Sequence, residues 1–237
     1  MIDILYIIGP MSANYDLELE CSLRTLHKYV KDYGRIYITG DCPDFINQEK
    51  VIYTPMKNLV AAPMINHWAK VQKTIDETDI GENFVLMYDD IFFTKPITLE
   101  DYPHYQKGKL GECYDGGWEY QKTLKNTKKF LEKHNQETYD YELHIPFIYN
   151  KYNFTKLKSI FETQVKEKFP YAVRSIYGNL FKPNQPYKHD VKIRTASDTK
   201  DEKIMGQECI SASDYTFPFI VAPYLETHIQ ERSPWEK

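Results

Sequence analysis

The sequence predicts a mixed α/β fold, a mostly parallel sheet flanked by helices, on three observations. Short β-branched apolar runs recur at residues 2–8, 35–40, 51–53 and 84–88. Segments with apolar residues at helical spacing lie between them, so strand and helix alternate through the first hundred residues. Turn signals such as Gly9-Pro10 and Gly40-Asp41 close the runs. In such sheets ligands bind beyond the carboxyl ends of the strands.

Each element has its own reason. Ile2 to Ile8 reads as a buried strand, and Leu19, Leu23, Leu26 and Val30 then repeat at helical spacing. Ser12, Asn14 or Asp16 is available to cap that helix, and Gly34 to stop it. Arg35 to Gly40 and Val51 to Tyr53 read as the second and third strands. A helix from Asn66 to Thr78 carries Trp68, Val71 and Ile75 on one side and feeds through Gly81 into the next strand. No dinucleotide GxGxxG fingerprint and no P-loop is present.

That next strand, Phe84-Val85-Leu86-Met87-Tyr88-Asp89-Asp90-Ile91-Phe92-Phe93, breaks into two adjacent carboxylates and then resumes. Like charges at the end of a buried strand repel; a cation relieves the repulsion, and a sugar nucleotide supplies phosphates to share it. The alternative is a solvated strand-to-loop corner.

In the second half, Gly108, Gly111, Gly116 and Gly117 sit among Tyr102, Tyr105, Tyr114, Trp118 and Tyr120. This reads either as a mobile aromatic loop over a site or as an irregular excursion packed on the surface. Lys122, Lys125, Lys128, Lys129 and Lys133 decorate a helix and read as its solvated face; they are also the one feature that would favour DNA as a partner. His144 precedes an Ile-Pro pair in extended geometry. A helix follows from about Phe154 to Glu167, then Arg174, suited to phosphate, and Asn179, suited to hydroxyls. The segment near 182–206 is polar, holds Pro183 and Pro186, and reads as a long loop. Cys209 to Tyr215 reads as a last strand edge or turn.

With 237 residues and 42% hydrophobic content, one sizeable core is expected, so residues 1–237 read as a single domain. The formal charge of -4 argues against a general nucleic-acid surface. Cys21, Cys42, Cys113 and Cys209 form no CxxC pair, the N-terminal run lacks a basic leader, and no stretch has the length of a membrane span. A cytoplasmic protein is therefore expected.

Several blocks resemble, in order, those of the Stealth family of sugar-phosphate transferases, whose fold is related to the GT-A nucleotide-sugar transferases. They are Ile2-Asp3-Ile4-Leu5-Tyr6, Glu18-Leu19-Glu20-Cys21-Ser22-Leu23-Arg24-Thr25, Ile36-Tyr37-Ile38-Thr39-Gly40-Asp41, Asn66-His67 and Tyr88-Asp89-Asp90-Ile91-Phe92-Phe93. His144-Ile145-Pro146, Arg174-Ser175, Ser211-Ala212-Ser213-Asp214 and Ser233-Pro234-Trp235-Glu236-Lys237 continue the series. The chain departs at Ile7-Ile8-Gly9-Pro10, where the family carries a second acidic residue, and this favours glycosyl over sugar-1-phosphate transfer.

The resemblance implies a GT-A-like fold, with residues 1–100 as the nucleotide-sugar-binding half and 101–237 as the acceptor and catalytic half. It implies Mn²⁺ or Mg²⁺ on Asp89 and Asp90, with Asp89 also touching the nucleotide sugar together with Asp3, Arg24 and Asn66. Arg174 would meet phosphate, His144 would be a third metal ligand or an acid/base group, and Asp214 would orient a hydroxyl. The implied partners are a nucleotide sugar and a glycan or other hydroxyl acceptor. Alternatives are sugar-1-phosphate transfer to a surface polysaccharide, glycosylation of a modified DNA base, and non-catalytic glycan binding.

Overall fold

The computed structural model describes residues 1–10, 14–112, 116–182 and 184–237. Ser12, Cys113, Tyr114 and Pro183, which figure in the sequence reading, lie outside the described residues.

In chain order the elements are β1 (Ile2–Ile8), α1 (Leu17–Tyr29), β2 (Tyr33–Gly40), β3 (Ile52–Pro55), α2 (Pro63–Glu77), β4 (Asn83–Met87) and β5 (Ile91–Phe93). Then come α3 (Trp118–Lys133), β6 (Phe147–Asn150), α4 (Lys151–Thr155), α5 (Lys158–Glu162), α6 (Val173–Phe181), β7 (Lys192–Ile193), α7 (Glu202–Met205), β8 (Cys209–Ala212) and α8 (Ala222–Glu226). The larger sheet has the order β3-β2-β1-β4-β6. Its first four strands are parallel, and β6 runs antiparallel to β4.

β1 is central and wholly buried, which is why it reads as an unbroken apolar run rather than an alternation. Its side chains divide by parity. Leu5 and Ile7 join α2 residues Ile65, Trp68, Val71 and Ile75 on one face. Ile4, Tyr6 and Ile8 join α1 residues Leu19, Leu23 and Leu26 on the other.

A smaller sheet, β5-β8-β7, stands beside it. β8 is its middle strand, antiparallel to β5 and parallel to β7, so the segment expected as an edge or turn is enclosed on both sides. β5 pairs with β8 and β4 with β6, so residues 1–100 and 101–237 both contribute strands to each sheet. The segment expected as a loop over 182–206 holds β7, a 3₁₀ turn at Ala196–Lys200 and α7.

Two glycines carry specific loads. Gly34 does not stop α1, which ends at Tyr29; it lies inside β2, where a Cβ would come within 2.8 Å of Asp3 Oδ1. Gly40 ends β2 at φ 133°, with the Ile8 carbonyl oxygen 1.9 Å from where a Cβ would stand. Gly40→Ala should therefore cost about 3 kcal/mol or more. A melting curve should register this as a fall of roughly 6–12 °C; an unchanged midpoint would contradict the packing described at this strand end.

Candidate active site

β4 ends at Met87, and Tyr88, Asp89 and Asp90 turn the chain from the large sheet into β5 of the small one. Because β1 and β4 are parallel in register, this turn lies at the carboxyl edge, beside Ile8 and Gly9. The small sheet fixes it. Ala212 N donates to the Asp90 carbonyl at 3.3 Å, and Ser211 Oγ and Lys192 Nζ donate to Asp90 Oδ2 at 3.0 and 3.1 Å.

Asp89 keeps part of its surface in contact with solvent, yet it is ringed by protein. Burial, then the charges of Asp90 and Glu18, push its carboxyl up to about 7. A cation beside it would favour its charged form. Among the described residues no group of three or more His, Cys, Asp or Glu side chains is placed to hold a metal. The donor set fits a hard divalent ion of the kind that takes one or two carboxylates and fills its shell with substrate phosphates and water. His144 is paired instead with Asp190.

Two cavities meet at this turn, and Tyr88 and Met64 line both. One, of about 320 Å³, is floored by Ile7, Gly9, Asn58 and Lys70. The buried Lys70 ammonium donates to the Ile8 carbonyl; burial lowers its pKa, and Asp41 and Asp89 oppose that. The other, of about 350 Å³, is lined by Glu142, His144, Arg174, Lys192 and Arg194.

Tyr88 is held from both sides. Its hydroxyl lies 2.8 Å from His67 Nδ1, and Tyr149 Oη lies 3.2 Å from His67 Nε2. Burial, with Arg174 nearby, drives the His67 pKa well below its usual value, so the imidazole is neutral. One tyrosine therefore donates to it and the other accepts. Arg174 stacks on the Tyr88 ring at 4.6 Å and donates through Nη1 to the Leu143 and Ile145 carbonyls. Its guanidinium is buried and braces Tyr88, yet it also lines the larger cavity, with Nε and Nη2 free of any hydrogen-bond partner among the described residues.

His144 faces the larger cavity with its ring fixed. Its Nδ1 donates to Asp190 Oδ2 at 2.9 Å, and its backbone N–H donates to Oδ1 at 3.0 Å. That tautomer leaves Nε2 as an acceptor. Burial would raise the Asp190 carboxyl, but the His144 hydrogen bond and charge, with Lys107 beyond, hold it well below the ordinary carboxylate range. A carboxylate held low stabilises the fold above its unfolded value of about 3.9 and loses that contribution as pH falls toward the folded value. Asp190→Asn should accordingly cost about 1–3 kcal/mol near neutral pH. Urea denaturation should show the deficit shrinking as pH drops below about 4; a pH-independent deficit would contradict the pairing.

The remaining expected residues scatter. Asp3 stands at the opposite, amino edge of β1, about 16 Å of strand from Asp89. There it receives Arg35 Nη2 at 2.9 Å and Gly81 N at 3.0 Å, so it closes the sheet rather than contacting a nucleotide. Arg24 lies on α1 and binds Glu236 through Nε at 3.0 Å and Nη2 at 2.7 Å, clamping the C-terminal segment. Asn66 lines the smaller cavity, but its amide is spent on Leu59 N, Val60 N and Val60 O at 2.8, 3.3 and 2.7 Å. Asp214 is exposed just past β8, its carbonyl accepting from Asn14 Nδ2 at 3.2 Å.

Lys192, Arg194, Asp190, Glu142 and Lys70 were not foreseen. For three of them the signal was present: Lys188, Asp190, Lys192 and Arg194 alternate with Val191 and Ile193, the period of a strand with one polar face. In the stretch expected as a mobile loop or a packed excursion, residues 102–112 bury Tyr102, Gln106, Lys107 and Leu110, which suits the packed excursion. On α3, Lys122, Lys125, Lys129 and Lys133 are exposed opposite the buried Thr123, Leu124, Thr127 and Leu131, as a solvated face requires.

No protein-family model and no curated protein matches the chain. Among solved structures, it is similar to the galactosyltransferase LgtC in complex with donor and acceptor sugar analogues, with a TM-score of 0.57 and 10% identity over 97% of each chain. A glycosyltransferase involved in glycosylation of the major capsid of PBCV-1 overlaps at a TM-score of 0.45 with 13% identity, over 97% of this chain and 99% of that one. The fold is the GT-A type of glycosyltransferases. Among the described residues no helix is long and apolar enough to cross a membrane.

Proposed function

We propose that this chain is a glycosyltransferase that moves a sugar from a nucleotide-sugar donor to a hydroxyl acceptor. The observation that carries this reading is the Asp89–Asp90 turn, held at the carboxyl edge of a GT-A-type sheet between two cavities that share Tyr88. The smaller cavity suits the nucleoside and the larger the sugar and the incoming hydroxyl. Asp89 and Asp90 would hold Mn²⁺ or Mg²⁺, which would neutralise the departing diphosphate.

The chain's own groups divide the remaining work. Lys192 adds positive charge beside Asp90, where the diphosphate oxygens would lie. Tyr88, braced by His67 and Arg174, separates nucleoside from sugar. His144, with Nδ1–H committed to Asp190, offers Nε2 to the acceptor hydroxyl and takes its proton as the new glycosidic bond forms. The bond from the anomeric carbon to the diphosphate breaks, and the nucleoside diphosphate leaves. The unpaired Cys21, Cys42 and Cys209 suit a reducing compartment such as the cytoplasm.

The test is product analysis after incubation with a panel of nucleotide sugars and Mn²⁺. Free nucleoside diphosphate is the expected product. Donor phosphorus retained in the acceptor linkage would contradict glycosyl transfer in favour of sugar-1-phosphate transfer, and no turnover of any donor would contradict both.

A further inference from the structure

Beside the Asp89–Asp90 turn the surface carries an aromatic cluster that neither cavity uses. Tyr215 and Phe219 pack with ring centroids 6.0 Å apart, yet remain 77% and 74% exposed. Tyr15 is 81% exposed. Large aromatic rings left in water at this density mark an interaction site.

The cluster is held in place. Phe217 is fully buried and stacks on Phe92 of β5 at 5.4 Å, which fixes the turn that presents Phe219. Thr216 Oγ1 donates to the Ile193 carbonyl at 2.7 Å, tying the same turn to β7. Tyr15 and Asp16 are consecutive non-glycine residues at φ 57° and 61°, a costly backbone that points Tyr15 outward. Asn14 joins the two loops through the Asp214 carbonyl.

Charge selects the occupant. Asp16 adjoins Tyr15, the exposed Asp214 adjoins Tyr215, and Asn14 between the two loops is bonded to the buried Glu18, so acids flank the rings. Such a surface repels phosphate backbones and anionic headgroups. It favours a neutral ligand whose hydroxyls donate to carboxylates while its C–H faces lie on aromatic rings. We infer that Tyr15, Tyr215 and Phe219 form the platform for the acceptor, and that the acceptor is a neutral glycan. This deepens the glycosyltransferase reading and rests on it for the word acceptor, although the binding itself does not.

The experiment titrates neutral oligosaccharides (maltotriose, cellotriose, lactose, mannotriose) into the wild-type chain and into Y215A/F219A, with nucleotide-sugar binding measured separately on both. Both rings are exposed, so the double variant should keep its melting temperature and its donor binding. The expected result is saturable binding of at least one oligosaccharide, weakened tenfold or more in the variant. Binding unchanged without the rings, or no binding of any oligosaccharide, overturns the proposal. So does ring-dependent binding of single-stranded DNA, of phosphatidylglycerol vesicles, or of a second copy seen by sedimentation. Oligosaccharide binding without any nucleotide-sugar binding would leave the platform standing and sink the transferase reading instead.

Discussion

Asp90→Asn should lower the transfer rate on the order of 10²–10³-fold while leaving the fold intact. Asparagine has the volume of aspartate, and its amide oxygen can still accept from Ser211 and Lys192. What it loses is charge. The Lys192–Asp90 pair is partly exposed, with side chains 20% and 23% accessible, so its loss removes about 0–1 kcal/mol of stability. Asp89→Asn should go further in the same sense. It removes a carboxylate crowded by Asp90, Glu18 and Asp16, so activity falls while the melting temperature holds or rises. Parallel rate and melting measurements on both variants check this. A variant that melts early, or one that turns over normally, would contradict the role given to the pair.

His144→Ala should reduce kcat by roughly 10²–10⁴-fold, the range for losing a positioned acid/base group. Donor affinity should change far less than the rate, because His144 lines only the cavity proposed for the sugar and the acceptor and not the one proposed for the nucleoside. Asp190→Asn should act in the same direction. An asparagine amide can offer N–H to Nδ1, which turns the imidazole to the tautomer that has no acceptor at Nε2. Transfer to the sugar acceptor should thus collapse while the donor KM changes far less. A raised donor KM with normal kcat would move His144 from proton transfer to donor binding.

The large sheet was legible because its signals are local. β1, β2 and β4 are buried runs of the length and composition that strands require, and α1 and α2 carry their apolar stripes in full view. The Asp89–Asp90 pair was legible for a related reason, since two charges terminating such a run are conspicuous in one dimension. The small sheet was not. Its strands β5, β7 and β8 are 3, 2 and 4 residues long and come from distant parts of the chain, so the alternation about β7 could not reveal which strands it pairs with.

Residue type without topology also misplaced several groups. Asp3 lies on the right strand at the wrong end, and only the parallel register with β4 reveals that. Arg24 has the chemistry of a phosphate ligand but clamps Glu236, whereas Arg174 braces Tyr88 while still lining the larger cavity. Those partners lie 212 and 86 residues away in sequence, beyond the reach of spacing arguments.

The most direct measurement is a calorimetric titration of nucleotide sugars into the wild-type chain and Asp90→Asn, each with Mn²⁺ and with chelator. A donor that binds the wild type at least tenfold more tightly with Mn²⁺, and binds Asp90→Asn alike in both conditions, is the predicted result. Donor binding that ignores both the metal and the Asp90 substitution would contradict the assignment of this turn as the diphosphate site.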